Sequence, residues 1–234
     1  MVLAAGLGKR MRPLTDTMPK PLIAVAGRPL LDWGLDRLAE VGVARAVVNV
    51  HYLPDHIVAH VRSRRRPEVV ISDESAALLD SGGGIEKALP LLGAEPFFIV
   101  NADTFWIDRG ASNLGRLALA WDASRMDILL MLTDSDSATG HTGSSDFLLE
   151  ADGRLVRSAG AEHGLIYAGA AIVHPRIFAG GPRGAHSLNR HFDRAIEGGR
   201  LFGMPMEGRW ITVGTPDAIP AAEAAVMAAM AEGR

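Results

Sequence analysis

Three basic residues crowd into one short loop near the amino end, where Lys9, Arg10 and Arg12 follow the small residues Ala4, Ala5, Gly6 and Gly8. Glycine lets backbone N–H groups come close to an anion, so a loop of this kind can cradle phosphate. A further cation, Lys20, stands between Pro19 and Pro21, which restrict where it points. A polyphosphate carries about four negative charges near neutral pH, and an enzyme that bends it for attack needs several positioned donors. The spacing from Gly6 and Gly8 to the first lysine does not match the ATPase P-loop. It is not a dinucleotide fingerprint either, because Met11 stands where the third glycine would fall. Asn101-Ala102-Asp103 is an Asx turn when taken alone. At the carboxyl end of a central strand facing the phosphate loop, however, Asp103 becomes a carboxylate able to hold Mg2+ with phosphate oxygens and water. In Asp80-Ser81-Gly82-Gly83-Gly84-Ile85 the glycines form either a flexible turn or a surface on which a flat ring lies.

These residues need a scaffold that presents several loops at one end of a sheet. Val2-Leu3-Ala4 reads as a short buried strand running into the basic loop. Leu31, Leu35 and Leu38 share a helix face that Pro29 opens and Gly42 closes. Residues 46–50 read as a strand, Pro54 to about Arg64 as a helix, and 69–71 as a strand. A helix from Gly82 leads to the apolar run 97–100, bounded by Pro96 and Asn101, which predicts a central parallel strand. A helix after Gly110 and a strand at 128–132 continue the pattern, and the Ser-, Thr-, Asp- and Gly-rich stretch 133–145 predicts a mobile loop. Asp152-Gly153 predicts a hairpin that adds to the sheet in antiparallel fashion, and 170–173 offers one more strand. Thr215 as N-cap and Pro216 at the first position open a helix ending near Gly233, in which Met227 and Met230 are expected to pack. The expected fold is α/β, a three-layer sandwich with a doubly wound, mostly parallel sheet, in one domain over residues 1–234.

The 234 residues, 48% hydrophobic and 22% charged, suffice for one substantial core. A formal charge of -3 gives no broad basic field, so no nucleic-acid partner is expected. The run Arg62, Arg64, Arg65 and Arg66 reads as a solvated helix end. The absence of cysteine excludes disulfides, a thiolate zinc site and a cysteine nucleophile. No Ser-His-Asp set points to covalent catalysis. Glycine comes too early for a secretory h-region, and no apolar run approaches the roughly 20 residues of a membrane span. A cytoplasmic protein with no membrane partner is expected, and the truncated-looking N-terminus leaves open a natural start a few residues upstream.

Leu3 to Met11, with Arg12-Pro13-Leu14-Thr15 and Pro19-Lys20-Pro21-Leu22, resembles the signature of the sugar-1-phosphate nucleotidylyltransferases, and the likeness extends over nearly the whole chain. The segments from His141 to Phe147, Tyr167-Ala168-Gly169 and Val173-His174-Pro175 are most similar to a compact branch of that family. That branch transfers UMP from UTP to N-acetylmuramate 1-phosphate in cell-wall recycling. The resemblance implies that Ala4, Ala5, Gly6, Gly8, Lys9 and Arg10 hold the triphosphate, and that Lys20 and Arg10 are catalytic. It also implies nucleotide contacts at Glu74, Ser81, Gly82, Gly83 and Asn101, sugar contacts at Gly143, Asp146 and Gly169, and a metal ligand at Asp103. In relatives a Trp-x-Asp-x-Gly-Thr element supplies a second metal aspartate, whereas this chain reads Trp210-Ile211-Thr212-Val213-Gly214-Thr215. Thr212 brings a neutral hydroxyl, so weaker Mg2+ binding or coordination through water is expected, and Asp217 reads as serving a helix dipole. The expected cofactor is Mg2+ and the partners are a nucleoside triphosphate and a sugar 1-phosphate, handled by a monomer. Two other readings stay open: a guanylyl- or thymidylyltransferase for mannose or glucose 1-phosphate, and a non-catalytic nucleotide sensor.

Overall fold

The computed structural model describes residues 1–232. Strand β1 (Val2–Leu3) is followed by the short strands β2 (Ala24–Val25) and β3 (Arg28–Pro29) and by helix α1 (Leu30–Glu40). Two strand-helix units come next, β4 (Arg45–Val50) with α2 (Pro54–Val61), and β5 (Glu68–Asp73) with α3 (Asp80–Leu92). β6 (Phe97–Asn101) turns directly into β7 (Thr104–Asp108), which precedes α4 (Asn113–Ala120), β8 (Ile128–Thr133) and β9 (Ala138–Thr139). The hairpin of β10 (Phe147–Leu149) and β11 (Leu155–Arg157) leads to the long β12 (Ile166–Val173). α5 (Asn189–Glu197), β13 (Leu201–Pro205), β14 (Gly208–Thr212) and α6 (Ala218–Glu232) follow.

The main sheet has seven strands in the order β13-β8-β12-β6-β1-β4-β5. All run the same way except β12, which is antiparallel to both neighbours. β8 is buried along its whole length and β4 along nearly all of it, which explains their unbroken apolar runs. Leucines of α1 and α4 and Ile57 of α2 pack with Val48 on one face, while Ile85 of α3 and Phe192 of α5 pack with Val47 on the other. This is the three-layer sandwich expected from the sequence. A third, smaller core joins Met11 of the basic loop to Phe105 of β7, Ile211 of β14 and Val226 of α6.

β1 has β4 on one side and β6 on the other, so the strand order reverses there and a crevice opens at the carboxyl ends. Register sets Asn49, Leu3 and Asn101 abreast at its floor.

Several local expectations are corrected. The Asp152-Gly153 hairpin forms as a separate two-stranded pair, tied to the edge of the main sheet through an isolated antiparallel bridge between Arg154 and Phe202 of β13. The glycine run is not a flexible turn but the buried first turns of α3. The stretch 133–145 includes β9, which pairs with β14. α6 begins at Ala218, because Thr215 and Pro216 make a turn whose carbonyls accept from Ala218 and Ile219. Met227 and Met230 are 65% and 61% exposed, since Ala222, Ala225 and Val226 form the buried face. The expected end at Gly233 lies outside the described residues. Arg64 is no solvated end: its guanidinium pairs with Asp32 and Asp36 of α1. The sequence reading missed α5, whose buried face is only His191, Phe192 and Ala195, and the strands β7, β13 and β14.

Gly169 lies where the β12–β8 pairing shifts register, with a φ of +77°. A Cβ there would collide with Thr104 Oγ1 and come within 3.3 Å of Asn101 Cβ. Gly169→Ala should lower the unfolding free energy by on the order of 1–3 kcal/mol in urea titrations; an unchanged midpoint would mean the strand accommodates the methyl freely.

Candidate active site

The crevice is a cleft of about 420 Å3. One wall is the start of the basic loop, Ala4, Ala5 and Gly6, and the opposite wall carries Asp80 and Ser81. Asn49 and Asn101 reach it from neighbouring strand ends, and Lys20 and Asp103 line it together. Lys20 Nζ donates to Asp103 Oδ2 at 2.7 Å, with side-chain exposures of 11% and 41%.

The loop is held by local bonds and by its buried anchor. Met11 is fully buried and its N–H donates to the Gly8 carbonyl at 2.8 Å. Thr15 Oγ1 donates to the same carbonyl at 2.9 Å, and the Tyr52 hydroxyl donates to the Thr15 carbonyl at 2.8 Å. A side chain on Gly8 would come within 3.1 Å of Lys20 Cβ, so the loop and the lysine are packed together. Gly8, Lys9 and Arg10 lie beyond the cleft wall, and Lys9 and Arg10 are exposed. Arg10 Nη1 sits beside Gly214, which links the loop to the segment that carries Thr212.

Thr212 pairs with Thr104 across β14 and β7, and the Val213 N–H donates to the Asp103 carbonyl at 3.1 Å. The tertiary structure therefore sets Thr212 next to the Asp103 backbone. Among the described residues no group of three or more His, Cys, Asp or Glu side chains could hold a metal. One carboxylate and one hydroxyl are hard oxygen donors that fit Mg2+ only when phosphate oxygens and water complete its octahedron.

Ser81, Gly82 and Gly83 are tied to the segment before α5. The Gly82 and Gly83 N–H groups donate to the His186 carbonyl at 2.9 and 3.1 Å, and the Leu188 N–H donates to Ser81 Oγ at 2.9 Å. The glycine amides are thus engaged within the protein, while Ser81 lines the cleft. Glu74 does not reach the cleft; it is fully buried beneath it. His186 and His191 meet Nε2 to Nε2 at 2.9 Å, and both are buried.

A second cavity of about 190 Å3 shares Leu3, Ser81 and Asn101 with the first. Asp146 lines it and accepts from the Tyr167 N–H at 2.9 Å. The Tyr167 hydroxyl is buried without a hydrogen-bond partner among the described residues, and burial, then the Asp146 charge, push its pKa up. Of the other two sugar candidates, Gly169 packs behind Asn101, and Gly143 lines a separate depression with Ser144 and Ser145. Sequence reasoning did not single out Asn49 or the Tyr167 side chain. A lone polar residue within the run Ala46-Val47-Val48-Asn49-Val50 was the available signal for the first.

A reversed strand order with a basic glycine loop and a carboxylate at adjacent strand ends is the architecture of a nucleotidyltransferase. The chain belongs to the family of MobA-like NTP transferase domains, whose profile matches residues 1–188. It is 47% identical over 230 residues to the N-acetylmuramate alpha-1-phosphate uridylyltransferase of Caulobacter vibrioides, covering 96% of this chain and 95% of that one. The enzyme of the same name from Neisseria meningitidis serogroup B is 36% identical over 92% of both chains. The solved structure of HddC from Yersinia pseudotuberculosis complexed with GMP-PN has a TM-score of 0.75 at 22% identity, covering 95% of this chain and 96% of that one. A UDP-glucose pyrophosphorylase complexed with UDP-glucose has a TM-score of 0.76 at 17% identity, covering 100% and 98%. The solved structures share the fold, and the family match with the curated relatives makes this chain a sugar-1-phosphate nucleotidyltransferase.

Burial, and then the neighbouring His186, lower the His191 pKa to about 4. An unfolded histidine titrates at about 6.5, so neutral His191 stabilises the fold fully above that pH. The contribution is lost as the pH falls from there towards the folded value. The urea midpoint should drop between about pH 7 and pH 4, and less so in His191→Gln; parallel profiles would remove His191 from the pH response.

Proposed function

We propose that this chain transfers UMP from UTP to N-acetylmuramate 1-phosphate and releases pyrophosphate, with Mg2+ as cofactor. The observation that carries the site assignment is the meeting of Lys20 and Asp103 in one cleft, 2.7 Å apart, beside the glycine loop. The names of the two curated relatives support the choice of base and sugar. Such a product suits a cytoplasmic enzyme of peptidoglycan recycling. No described helix is long and apolar enough to cross a membrane. The described chain works as one catalytic unit and as a monomer.

The sugar phosphate is already an anion at neutral pH, so no base has to generate the nucleophile. Its oxygen forms a bond to the α-phosphorus of UTP as the bond to the β-phosphate oxygen breaks, and the electron pair leaves with pyrophosphate. Lys20 leaves Asp103 to bridge the two reacting phosphates and cancel their repulsion. The amides at Ala5 and Gly6, with Arg10 and Lys9 at the rim, stabilise the departing pyrophosphate. Ser81 and Asn101 face the nucleoside, with Gly82 and Gly83 supporting that wall. Asp146 and Tyr167 line the smaller cavity and face the sugar. Asp103 would hold Mg2+, with Thr212 contributing its hydroxyl or a bound water. When bound, that ion neutralises triphosphate charge.

Lys20→Ala should lose at least about a hundredfold in turnover while keeping the wild-type circular dichroism; near-normal pyrophosphate release would refute the role. Thr212→Asp should reach half-maximal rate at lower Mg2+ concentration, and an unchanged magnesium curve would exclude Thr212 from the metal environment. Offering four labelled triphosphates with a panel of sugar 1-phosphates tests the substrate pair. Preference for GTP with mannose 1-phosphate, or binding without pyrophosphate, would overturn the proposal.

A further inference from the structure

We propose that the buried pair Asn49 and Glu74 is a positioning unit that sets the spacing between the phosphate loop and the base-side turn. The inference rests on the nucleotidyltransferase reading of the cleft and deepens it. Asn49 is 3% exposed and Glu74 is 0% exposed. Asn49 Oδ1 accepts from the N–H of Ala4, the first loop residue after β1, at 2.8 Å. Asn49 Nδ2 donates to Glu74 Oε1 at 2.7 Å, and Glu74 Oε2 accepts from the Leu79 N–H at 3.2 Å, one residue before α3. The two side chains therefore bridge the two walls of the cleft from below.

The backbone of Glu74 is fixed as well. Its N–H donates to the Val50 carbonyl at 2.8 Å, and its carbonyl meets His51 Nδ1 at 2.8 Å. Gly84 presses the α3 backbone onto the pair: a Cβ there would lie 2.6 Å from Glu74 Oε1 and 2.9 Å from Asn49 Nδ2. This assigns the third glycine of the run a role that has nothing to do with the base. Among the described residues the Glu74 carboxylate has no cationic partner within ion-pair distance. Burying a carboxylate on two neutral donors is unfavourable compared with an apolar filler of the same size. What the polar pair offers in return is direction, because each hydrogen bond fixes one backbone amide on one wall.

The bonding pattern permits a reversal. In Asn49→Asp with Glu74→Gln, the new carboxylate at 49 accepts from Ala4 and from the Gln amide, and the Gln carbonyl accepts from Leu79. All three bonds are kept and the single charge moves across the pair. Asn49→Asp alone sets two carboxylates against each other, and Glu74→Gln alone leaves two donors competing for one oxygen.

The experiment measures triphosphate affinity by calorimetry, using whichever of four common nucleoside triphosphates the wild type binds most tightly, and KM for both substrates. Each single variant should weaken triphosphate binding about tenfold or more, with the sugar-phosphate KM little changed. The double variant should return to within about threefold of wild type. Single variants that melt earlier yet bind triphosphate normally would overturn the proposal, leaving a role in stability only. A double variant as weak as the weaker single would overturn it too. Affinity is read without turnover, so a wild type that binds triphosphate and releases no pyrophosphate would refute the reaction and not the positioning role.

Discussion

The arrangement depends on bringing cations, a carboxylate and free backbone amides to the mouth of one crevice without letting them neutralise each other for good. The ion pair between Lys20 and Asp103 is the resting solution. Asp103 is 41% exposed, so solvent screens the pair and its worth is on the order of 1 kcal/mol or less. A triphosphate with about four charges competes easily for the lysine. On the proposed mechanism, releasing the lysine to phosphate leaves the carboxylate free for a hard cation. A tighter or deeper pair would stabilise the empty protein and oppose substrate.

Geometry rather than charge density makes this possible. The reversal of strand order at β1 leaves its carboxyl end uncovered, and the parallel register sets Asn49 and Asn101 on either side. The basic loop would be a floppy turn if its only constraints were local. Its rigidity comes from Met11, buried in a small core with Phe105, Ile211 and Val213, so β7, which follows the turn that carries Asp103, the strand that ends on Thr212 and the loop that carries Arg10 share one anchor. The base-side wall is made rigid in a different way, by backbone bonds from Gly82 and Gly83 to the segment preceding α5.

Much of this was legible beforehand. The strand-helix alternation, the cationic loop and the carboxylate after an apolar strand depend on local patterns that the chain spells out over five to ten residues at a time. The strands β7, β13 and β14 were not legible, because edge and side-layer strands lack the two-sided burial that produces an unbroken apolar run. α5 was missed since a helix that turns one histidine, one phenylalanine and one alanine inward has little apolar periodicity. Met227 and Met230 were expected inside on residue type alone, whereas Ala222, Ala225 and Val226 take that face.

Local chemistry in the sequence determined which residues can bind phosphate and where strands and helices alternate, since charge, glycine content and hydrophobic period act over short distances. Only the folded chain decided which of them meet. Glu74 was an expected nucleotide contact and lies beneath the floor, Gly84 presses on a carboxylate instead of a base, and Gly143 lines a depression of its own. The physical reason is that burial and hydrogen-bond partnership are properties of pairs far apart in the chain, and a residue's type states what it can donate or accept without stating to whom.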